Sequence, residues 1–136
     1  MRCVIVDDSA DFVGAARRLL EHDGISVVGV ASTGAEALRC LRELQPDVTL
    51  VDVNLGAENG FELAEQIHRS GPAPSPVILI STHNEEDLAD LIATSPAIGF
   101  VGKINLTPAA IRDVVDGVTL LDEAGARHPG WIHRFA

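Results

Sequence analysis

The sequence predicts an α/β fold, a doubly wound five-stranded parallel sheet with five helices in a three-layer sandwich. Three observations lead to this prediction. Short apolar runs alternate along the chain with segments of helical period, and such alternation requires a right-handed crossover between successive parallel strands. Most of the runs lack period-two alternation, which is typical of strands covered on both faces. The composition, 46% hydrophobic and 22% charged, is that of a globular protein.

Five apolar runs are predicted to be strands. The run from Ile25 to Val30 is interrupted by Ser26 and Gly29, so one of its sides tolerates water and an edge position suits it. The other four runs are continuous and are predicted to be inner strands. They cover residues 3–6, 48–51, 77–80 and 98–101.

Five helices are predicted between and after these runs, because each segment there carries an apolar stripe of helical period. The second has Thr33 and Glu36 at capping-box spacing and ends before Pro46. The last begins with Thr107 as cap and Pro108 in the first turn. The stripes expected to face the sheet are Phe12, Ala16, Leu19 and Leu20; Leu38, Leu41 and Leu44; Phe61, Leu63, Ala64 and Ile67; Leu88, Leu91 and Ile92; and Ile111, Val114, Val115 and Val118.

Charge and hydropathy exclude several classes of function. Ten basic and twenty acidic residues leave a net charge of −10, which repels a phosphate backbone, so direct nucleic-acid binding is not expected. The apolar runs are far shorter than the roughly 20 residues that span a bilayer, so no membrane segment is expected. Asp7 and Asp8 follow the first run directly, unlike a signal peptide, and we expect a cytoplasmic protein. Cys3 and Cys40 are expected to be reduced packing residues.

Residues 1–118 are expected to form one domain and residues 119–136 a C-terminal tail. The 18 residues after Val118 are too few for an output domain. The tail contains the apolar residues Trp131, Ile132 and Phe135 among interrupting glycines and a proline. Three alternatives stay open for it: a cover over the domain's own surface, a frayed terminus, and a segment that binds a partner or forms a homodimer.

Polar residues follow four of the predicted strands. Asp7 and Asp8 follow the first, Asp52 the third, Ser81 the fourth and Lys103 the fifth. The carboxyl ends of parallel strands meet at one rim of the sheet, where ligands bind. Carboxylates that converge there repel one another unless a divalent cation is present, and we expect Mg²⁺, with Mn²⁺ as a substitute.

Such a rim has the parts needed for phosphoryl transfer. With a metal ion holding phosphate oxygens, the Asp52 carboxylate can attack phosphorus and form an aspartyl phosphate. Lys103 can neutralise one equatorial oxygen as a point charge, and the Ser81 hydroxyl can donate a hydrogen bond to another. The sequence therefore predicts Asp52 as a phosphoacceptor.

These residues lie in motifs that resemble those of the receiver domain of two-component response regulators. The resemblance covers roughly residues 1–118, and the motifs together form a specific signal although each alone is weak. It implies a stand-alone, flavodoxin-like receiver with strand order 2-1-3-4-5. The motifs are Val6-Asp7-Asp8-Ser9, Leu50-Val51-Asp52-Val53-Asn54-Leu55 with Gly60, Ile80-Ser81 and Phe100-Val101-Gly102-Lys103.

The resemblance also implies a phosphorelay role and a metal site. A histidine kinase, a phosphotransfer protein or a small phosphodonor would phosphorylate Asp52. By the same resemblance Asp8 and Asp52 ligate Mg²⁺ directly, Asp7 acts through water, and the backbone carbonyl of Asn54 completes the protein ligands. Asn54 and His83 would flank the phosphoryl group and modulate its hydrolysis.

The switch that the resemblance implies is a pair, Ser81 and Phe100. Phosphate would draw the serine inward and the aromatic ring would follow. This would remodel the surface of the fourth helix, fifth strand and fifth helix, where an unknown downstream protein would bind. Ile104 stands where many receivers have proline, so no cis peptide is expected there, and Thr82 stands where a small alanine is common.

Two other functions stay open. A phosphohydrolase of the haloacid-dehalogenase type also uses a strand-ending aspartate with Mg²⁺. It requires a second aspartate two residues further on, where this chain has Asn54. A receiver-like docking module would work without phosphorylation, against which the set of Asp8, Asp52, Ser81 and Lys103 argues. We expect a signalling switch rather than an enzyme, with no chemistry beyond its own phosphorylation and dephosphorylation.

Overall fold

A five-stranded parallel sheet forms the centre of the protein. The computed structural model describes residues 1–71, 74–117, 120–121 and 127–128. The spatial order of the strands is β2-β1-β3-β4-β5, so the predicted sheet and its order 2-1-3-4-5 are confirmed. The strands are β1 (Arg2–Val6), β2 (Ser26–Ala31), β3 (Val48–Asp52), β4 (Val77–Ser81) and β5 (Gly99–Gly102).

Five helices connect and flank these strands, as predicted. Side-chain oxygens of Ser9, Thr33, Asn59 and Thr107 accept hydrogen bonds from backbone N–H groups of the first turns, which would otherwise lack partners. Short 3₁₀ turns precede α4 and α5. The helices are α1 (Ala10–His22), α2 (Gly34–Leu44), α3 (Gly60–Arg69), α4 (Ala89–Thr94) and α5 (Pro108–Asp116), and the 3₁₀ turns are Glu85–Leu88 and Lys103–Asn105.

The core consists of two layers, one on each face of the sheet. Neighbouring strand residues point to opposite faces, so Ile5 belongs to one layer and Val4 to the other. Helices α1 and α5 cover the first layer with residues such as Leu20 and Ile111, and α2, α3 and α4 cover the second with residues such as Ile67. This is the predicted three-layer sandwich.

The topology gathers the strand ends at one rim. The register sets Val6 opposite Val51 and Ser81 opposite Gly102, so the carboxyl ends of the strands are level. Each helix returns in the opposite direction, because the next strand starts again at the other rim. The carboxyl ends of the helices therefore lie at the rim opposite the strand ends.

The prediction that the apolar stripes face the sheet is wrong for two residues. Leu19 is 44% exposed and Leu91 is 52% exposed. In α1 the buried face is formed by Val13, Ala16 and Leu20, at the spacing of three and four residues that places side chains on one helix face. Leu19 and Leu91 each precede a buried residue by one position, about 100° around the helix, and so point away from the sheet. The predicted stripe residue Val118 lies outside the described residues.

The prediction that residues 98–101 form an inner strand is also wrong, because β5 lies at an edge of the sheet. Both faces of β5 are nevertheless covered: Phe100 packs in the layer with α2, α3 and α4, and Val101 in the layer with α1 and α5. Burial of both faces produces a continuous apolar run at an edge as well as inside. The edge position predicted for residues 25–30 is confirmed.

Two short antiparallel pairings lie outside the sheet. In the loop after β3, Asn54–Leu55 pairs with Glu58–Asn59 to form what we call the β3–α3 hairpin. Beyond α5, Leu120–Leu121 pairs with Arg127–His128. The remaining predictions for the tail, at residues 118–119, 122–126 and 129–136, lie outside the described residues. Within the described ranges, no helix is both long enough and apolar enough to cross a membrane.

Candidate functional site

Asp7 and Asp8 continue the chain directly from the end of β1. The N–H of Asp7 donates to the carbonyl of Ala31 (2.9 Å), which extends the strand pairing by one residue and keeps Asp7 against the sheet. Its side chain is buried, and its Oδ1 accepts a hydrogen bond from the N–H of Ser9 (2.8 Å). Asp8 is exposed. The chain therefore presents one fixed and one accessible carboxylate at the same turn.

Asp52 is the last residue of β3 and is only 5% exposed. Its Oδ1 accepts a hydrogen bond from the N–H of Asn54 (3.2 Å), and its Oδ2 lies 3.2 Å from the Nζ of Lys103. The loop after β5 brings this lysine to the rim. Both carboxylate oxygens of Asp52 are thus oriented, Oδ1 by the backbone of Asn54 and Oδ2 by the ammonium of Lys103.

Lys103 connects two of the acids. Its Nζ lies 2.7 Å from Oδ2 of Asp7, the buried oxygen that faces away from Ser9, and 3.2 Å from Oδ2 of Asp52. The ammonium also lies 4.4 Å from the ring centroid of Phe12 on α1, a cation–π distance. This half-buried cation partly balances the carboxylates around it.

Burial and charge shift two pKa values in the site. Burial raises the pKa of Asp52, and the charge of Asp7 acts in the same direction; the hydrogen bond from Asn54 and the charge of Lys103 act against it but do not cancel it. Burial alone would lower the pKa of Lys103, but its hydrogen bond to Asp7 and the charges of Asp52 and Asp7 raise it. Lys103 therefore stays an ammonium at neutral pH.

The three acids form a group that suits a hard divalent cation. One carboxylate oxygen of each of Asp7, Asp8 and Asp52 lies within 4.8 Å of those of the other two. Mg²⁺ holds oxygens at about 2.1 Å, so two of its ligands lie up to about 4.2 Å apart. Small side-chain rotations would bring these oxygens into that range. The donors, all carboxylate oxygens, are those that Mg²⁺ and Mn²⁺ prefer.

Gly60 and Gly56 give the backbone around this group its shape. A Cβ on Gly60 would lie 2.1 Å from the backbone oxygen of Asp52, so the start of α3 approaches the end of β3 more closely than any side chain allows. The N–H of Gly60 donates to the carbonyl of Val53 (2.9 Å). Gly56 has a φ of +68°, and a Cβ there would lie 3.2 Å from Oδ2 of Asp8. The hairpin tip thus lies against the exposed acid.

Ser81 and Phe100 lie on neighbouring strands beside the acids. Ser81 follows Ile80, the register partner of Asp52, and its side chain is buried. Its Oγ accepts a hydrogen bond from the N–H of His83 (3.0 Å) and lies 3.3 Å from Nδ1 of the same residue. Phe100 is buried in the layer with α2, α3 and α4. Both line a cavity of about 130 Å³.

The residue after Lys103 closes one side of that cavity. Ile104 is 94% exposed, and the peptide that joins it to Lys103 is trans. An apolar side chain so exposed at the rim belongs to the surface next to Ser81 and Phe100 rather than to the core.

The structure brings together Asp7, Asp8, Asp52 and Lys103, and Asn54 lies two residues after Asp52 in the loop that follows β3. Their proposed roles stay predictions. The position of Phe12 in an apolar stripe indicates only core packing and does not predict its contact with Lys103. Glu58, whose Oε2 accepts a hydrogen bond from the N–H of Gly34 (2.8 Å), is likewise not predicted from the sequence. No motif marks either contact, because each joins segments that are distant in sequence.

Fold and site together define a doubly wound α/β domain with a group of acids at the carboxyl ends of its strands. The sequence profile of the response regulator receiver domain matches residues 3–116. The chain therefore belongs to the response regulator receiver domain family.

Curated relatives agree with this assignment. The response regulator GacA of Pseudomonas viridiflava is 33% identical over 130 residues, which cover 94% of this chain and 58% of GacA. Protein-glutamate methylesterase/protein-glutamine glutaminase 3 of Hahella chejuensis is 34% identical over 108 residues, which cover 79% of this chain and 30% of that protein. The match thus spans 30% to 58% of the length of these relatives.

Solved structures show the same domain. The signal receiver domain of NarL from Mycobacterium tuberculosis has a TM-score of 0.74 and 33% identity, covering 85% of this chain and 96% of that one. The response regulator domain of CheB from Thermotoga maritima has a TM-score of 0.67 and 28% identity, covering 87% and 92%. The expected family is confirmed.

Membership of the family establishes some general properties. Receiver domains are signalling switches that bind Mg²⁺ at an acidic cluster and interact with histidine kinases or phosphotransfer proteins. In this chain the cluster is the group of Asp7, Asp8 and Asp52. The methylesterase activity in the names of some relatives belongs to a separate effector domain.

Proposed function

We propose that this receiver accepts a phosphoryl group on Asp52 and thereby switches a protein–protein interaction surface. The observation that carries the proposal is the position of the Asp52 carboxylate. It is nearly buried, is oriented by the N–H of Asn54, and shares Lys103 with Asp7. A carboxylate in a structural ion pair alone would not need two further acids beside it, and the charge of one of them, Asp7, raises the pKa of Asp52 and so costs stability.

Mg²⁺ fits the donors of this site. Asp8 and Asp52 would hold the ion directly, Asp7 through a water molecule, and the backbone carbonyl of Asn54 would complete the protein ligands, with Mn²⁺ as a substitute. When bound, the ion supplies charge that attracts phosphate oxygens and neutralises them during transfer. The exposure of Asp8 supports entry of a hydrated ion from that side.

The chain's own residues would carry the transfer. A carboxylate oxygen of Asp52 forms a bond to phosphorus while the bond from phosphorus to the donor breaks, and the donor group leaves with that electron pair. Lys103 turns from Asp52 towards an oxygen of the transferred group, and its contact with Asp7 keeps it at the rim. Burial of Asp52 excludes water from the nucleophile before the donor arrives.

The switch would run through Ser81 and Phe100. The Oγ of Ser81 lies at the strand position after the register partner of Asp52 and accepts a hydrogen bond from the N–H of His83, so its own hydroxyl hydrogen can turn to an oxygen of the phosphoryl group. The cavity of about 130 Å³ beside both residues offers room for the rearrangement. We assign a rate-modulating role to His83 on this contact, and one to Asn54 because it flanks Asp52.

The proposed partners follow from the surface near the switch. A histidine kinase or phosphotransfer protein would deliver the phosphoryl group, and a downstream protein would bind the surface of α4, β5 and α5. Leu91 and Ile104 are exposed apolar side chains in this region, which supports a binding role. We further propose a cytoplasmic location, where the free thiols of Cys3 and Cys40 stay reduced.

Phosphoryl labelling tests the proposal. Acetyl phosphate with Mg²⁺ should add one phosphate to the wild type, measured by intact-protein mass spectrometry. Labelling should be lost in Asp52→Ala and when Mg²⁺ is chelated. Asp87→Ala, which removes an exposed acid from the turn before α4, is the matched control and should label like the wild type.

The same experiment separates the alternatives. A folded wild type that takes no phosphate and no beryllofluoride would overturn the proposal and favour the docking module. Continuous release of phosphate from phosphate esters, at many turnovers per molecule, would instead indicate the phosphohydrolase.

A further inference from the structure

Glu58 joins the metal-side loop to a helix outside the site. The loop between Asp52 and α3 is the β3–α3 hairpin, in which Leu55 pairs with Glu58 and Asn54 pairs with Asn59. One strand of the hairpin carries Asn54, next to Asp52. The other carries Glu58, whose Oε2 accepts a hydrogen bond from the N–H of Gly34 at 2.8 Å.

Gly34 is the first residue of α2, where backbone N–H groups lack partners within the helix. The helix's own caps take other groups: Thr33 Oγ1 accepts from the N–H of Glu36, and the carboxylate of Glu36 accepts from the N–H of Ser32. Gly34 is itself buried, so its N–H has little access to water. Glu58 therefore supplies an acceptor that α2 needs and does not provide.

The fit at this contact is close and electrostatically favourable. A Cβ on Gly34 would lie 3.2 Å from Oε1 of Glu58, so the carboxylate lies tightly against the glycine. A negative charge at a helix N-terminus is stabilised by the aligned peptide dipoles. The contact requires a hydrogen-bond acceptor at position 58.

The hairpin is held at three points around the metal-binding acids. Leu55 is buried in the core, Glu58 is bonded to α2, and the tip at Gly56 lies against Oδ2 of Asp8. The Asn54 carbonyl, the proposed backbone ligand, belongs to the peptide that joins Asn54 to Leu55, the first of these points. Loss of the Glu58 bond frees the outer strand of the hairpin, and with it the pairing that holds Asn54 to Asn59.

We propose that Glu58 is a positioning residue for the cation site: by bonding Gly34 it holds the β3–α3 hairpin, and so Asn54 and Gly56, in the geometry that binds Mg²⁺. This inference rests on the proposed function of the acidic cluster. It assigns Glu58 no contact with the ion.

Three variants separate the hydrogen bond from the charge. Glu58→Ala removes both, Glu58→Gln keeps an acceptor oxygen without the charge, and Glu62→Ala removes a charge nearby on α3 without this bond. Magnesium chloride is titrated into the wild type and each variant, and its binding is measured by calorimetry and by changes in amide chemical shifts. Hydrogen exchange of the Gly34 amide is measured in the absence of Mg²⁺.

We expect Glu58→Ala to bind Mg²⁺ about three-fold more weakly, the effect of one partly exposed charge-assisted hydrogen bond. Glu58→Gln and Glu62→Ala should bind with equal affinity, close to that of the wild type. The Gly34 amide should exchange faster in Glu58→Ala and be protected again in Glu58→Gln.

Two failures are distinguishable. The positioning role is wrong if Glu58→Ala binds Mg²⁺ as well as the wild type does. It is also wrong if Glu58→Gln and Glu62→Ala lose as much affinity for Mg²⁺ as Glu58→Ala does. In both cases the proposed function stands. If the wild type itself binds neither Mg²⁺ nor beryllofluoride, the proposed function fails.

Discussion

Replacement of Gly60 with alanine should destabilise the protein at the end of β3. The added Cβ would lie 2.1 Å from the backbone oxygen of Asp52, 2.6 Å from the Cα of Val53 and 2.8 Å from the carbonyl carbon of Asp52. Ordinary contact begins at 3.4 Å. All three atoms belong to the backbone, so no side-chain rotation relieves the overlap. Either α3 or the end of β3 must shift.

The expected loss is about 3 kcal/mol in the free energy of unfolding. Overpacking typically costs about 1 to 3 kcal/mol, and a clash with backbone belongs at the upper end. A shift at Gly60 also weakens the 2.9 Å hydrogen bond from its N–H to Val53, worth about 1 kcal/mol. For a domain of this size, 3 kcal/mol corresponds to a fall in Tm of roughly 10 °C.

Urea unfolding followed by far-UV circular dichroism measures this effect. Gly14→Ala is the matched control: it lies within α1, and its Cβ would meet nothing closer than Arg18 Nη1 at 3.7 Å. This variant should gain about 0.5 to 1 kcal/mol, as alanine does over glycine inside a helix. If Gly60→Ala unfolds within about 1 kcal/mol of the wild type, the claim that Gly60 fixes the end of β3 is refuted.

Three further predictions concern the site and the thiols. Asp52→Asn should be more stable than the wild type at pH 7 in EDTA, because the raised pKa of Asp52 means that its charge is less favourable in the folded state. The stability of the wild type should rise as pH falls through the pKa of Asp52 in the folded state. The difference in urea midpoint between Asp52→Asn and the wild type should therefore narrow in acid. A wild type that is more stable than Asp52→Asn at pH 7 would contradict this prediction. Burial raises the pKa of Cys3 to about 12, so Cys40 should react first with Ellman's reagent. The variant Cys40→Ala should stay unreactive until it unfolds, and its prompt reaction would contradict the burial of Cys3. Phe12→Leu should slow acetyl phosphate labelling about two- to five-fold, because it removes the ring beside Lys103, and an unchanged rate would show that the cation–π contact does not matter.

The sheet and the acidic group were predictable because topology alone determines them. Strands that alternate with helices must be parallel, and parallel strands bring their carboxyl ends to one rim. Asp7, Asp52 and Lys103 therefore meet at 2.7 and 3.2 Å although Asp52 and Lys103 are 51 residues apart. This part of the site follows from the order of the strands and needs no knowledge of side-chain packing.

The orientation of helix faces was less predictable, because it depends on how each helix crosses the sheet. Leu19 and Leu91 fit an apolar stripe in sequence but lie outside the buried face, while Val13 lies within it. Hydrophobicity alone does not separate these positions. An apolar stripe that includes both Val13 and Leu19 is consistent with two rotations of the helix about its axis, of which one buries Val13 and the other Leu19.

Contacts between loops and helices could not be predicted. The bond from Gly34 to Glu58 joins segments 24 residues apart, and the contact between Phe12 and Lys103 joins α1 to the loop after β5. Both depend on tertiary distances of a few ångströms. A capping motif could have suggested an acceptor near Gly34, but Thr33 and Glu36 already satisfy that motif with other backbone groups.

The opposite placement of strand ends and helix ends has a practical consequence for reporter design. β1 starts on the side of the molecule away from Asp52, and α5 ends on that side too, since its Arg112 bonds Asp23 at the end of α1. A fluorescent protein or surface tether attached before Arg2 would leave the acidic rim open. Immobilised or labelled versions of this domain should therefore keep the group of Asp7, Asp8 and Asp52 accessible.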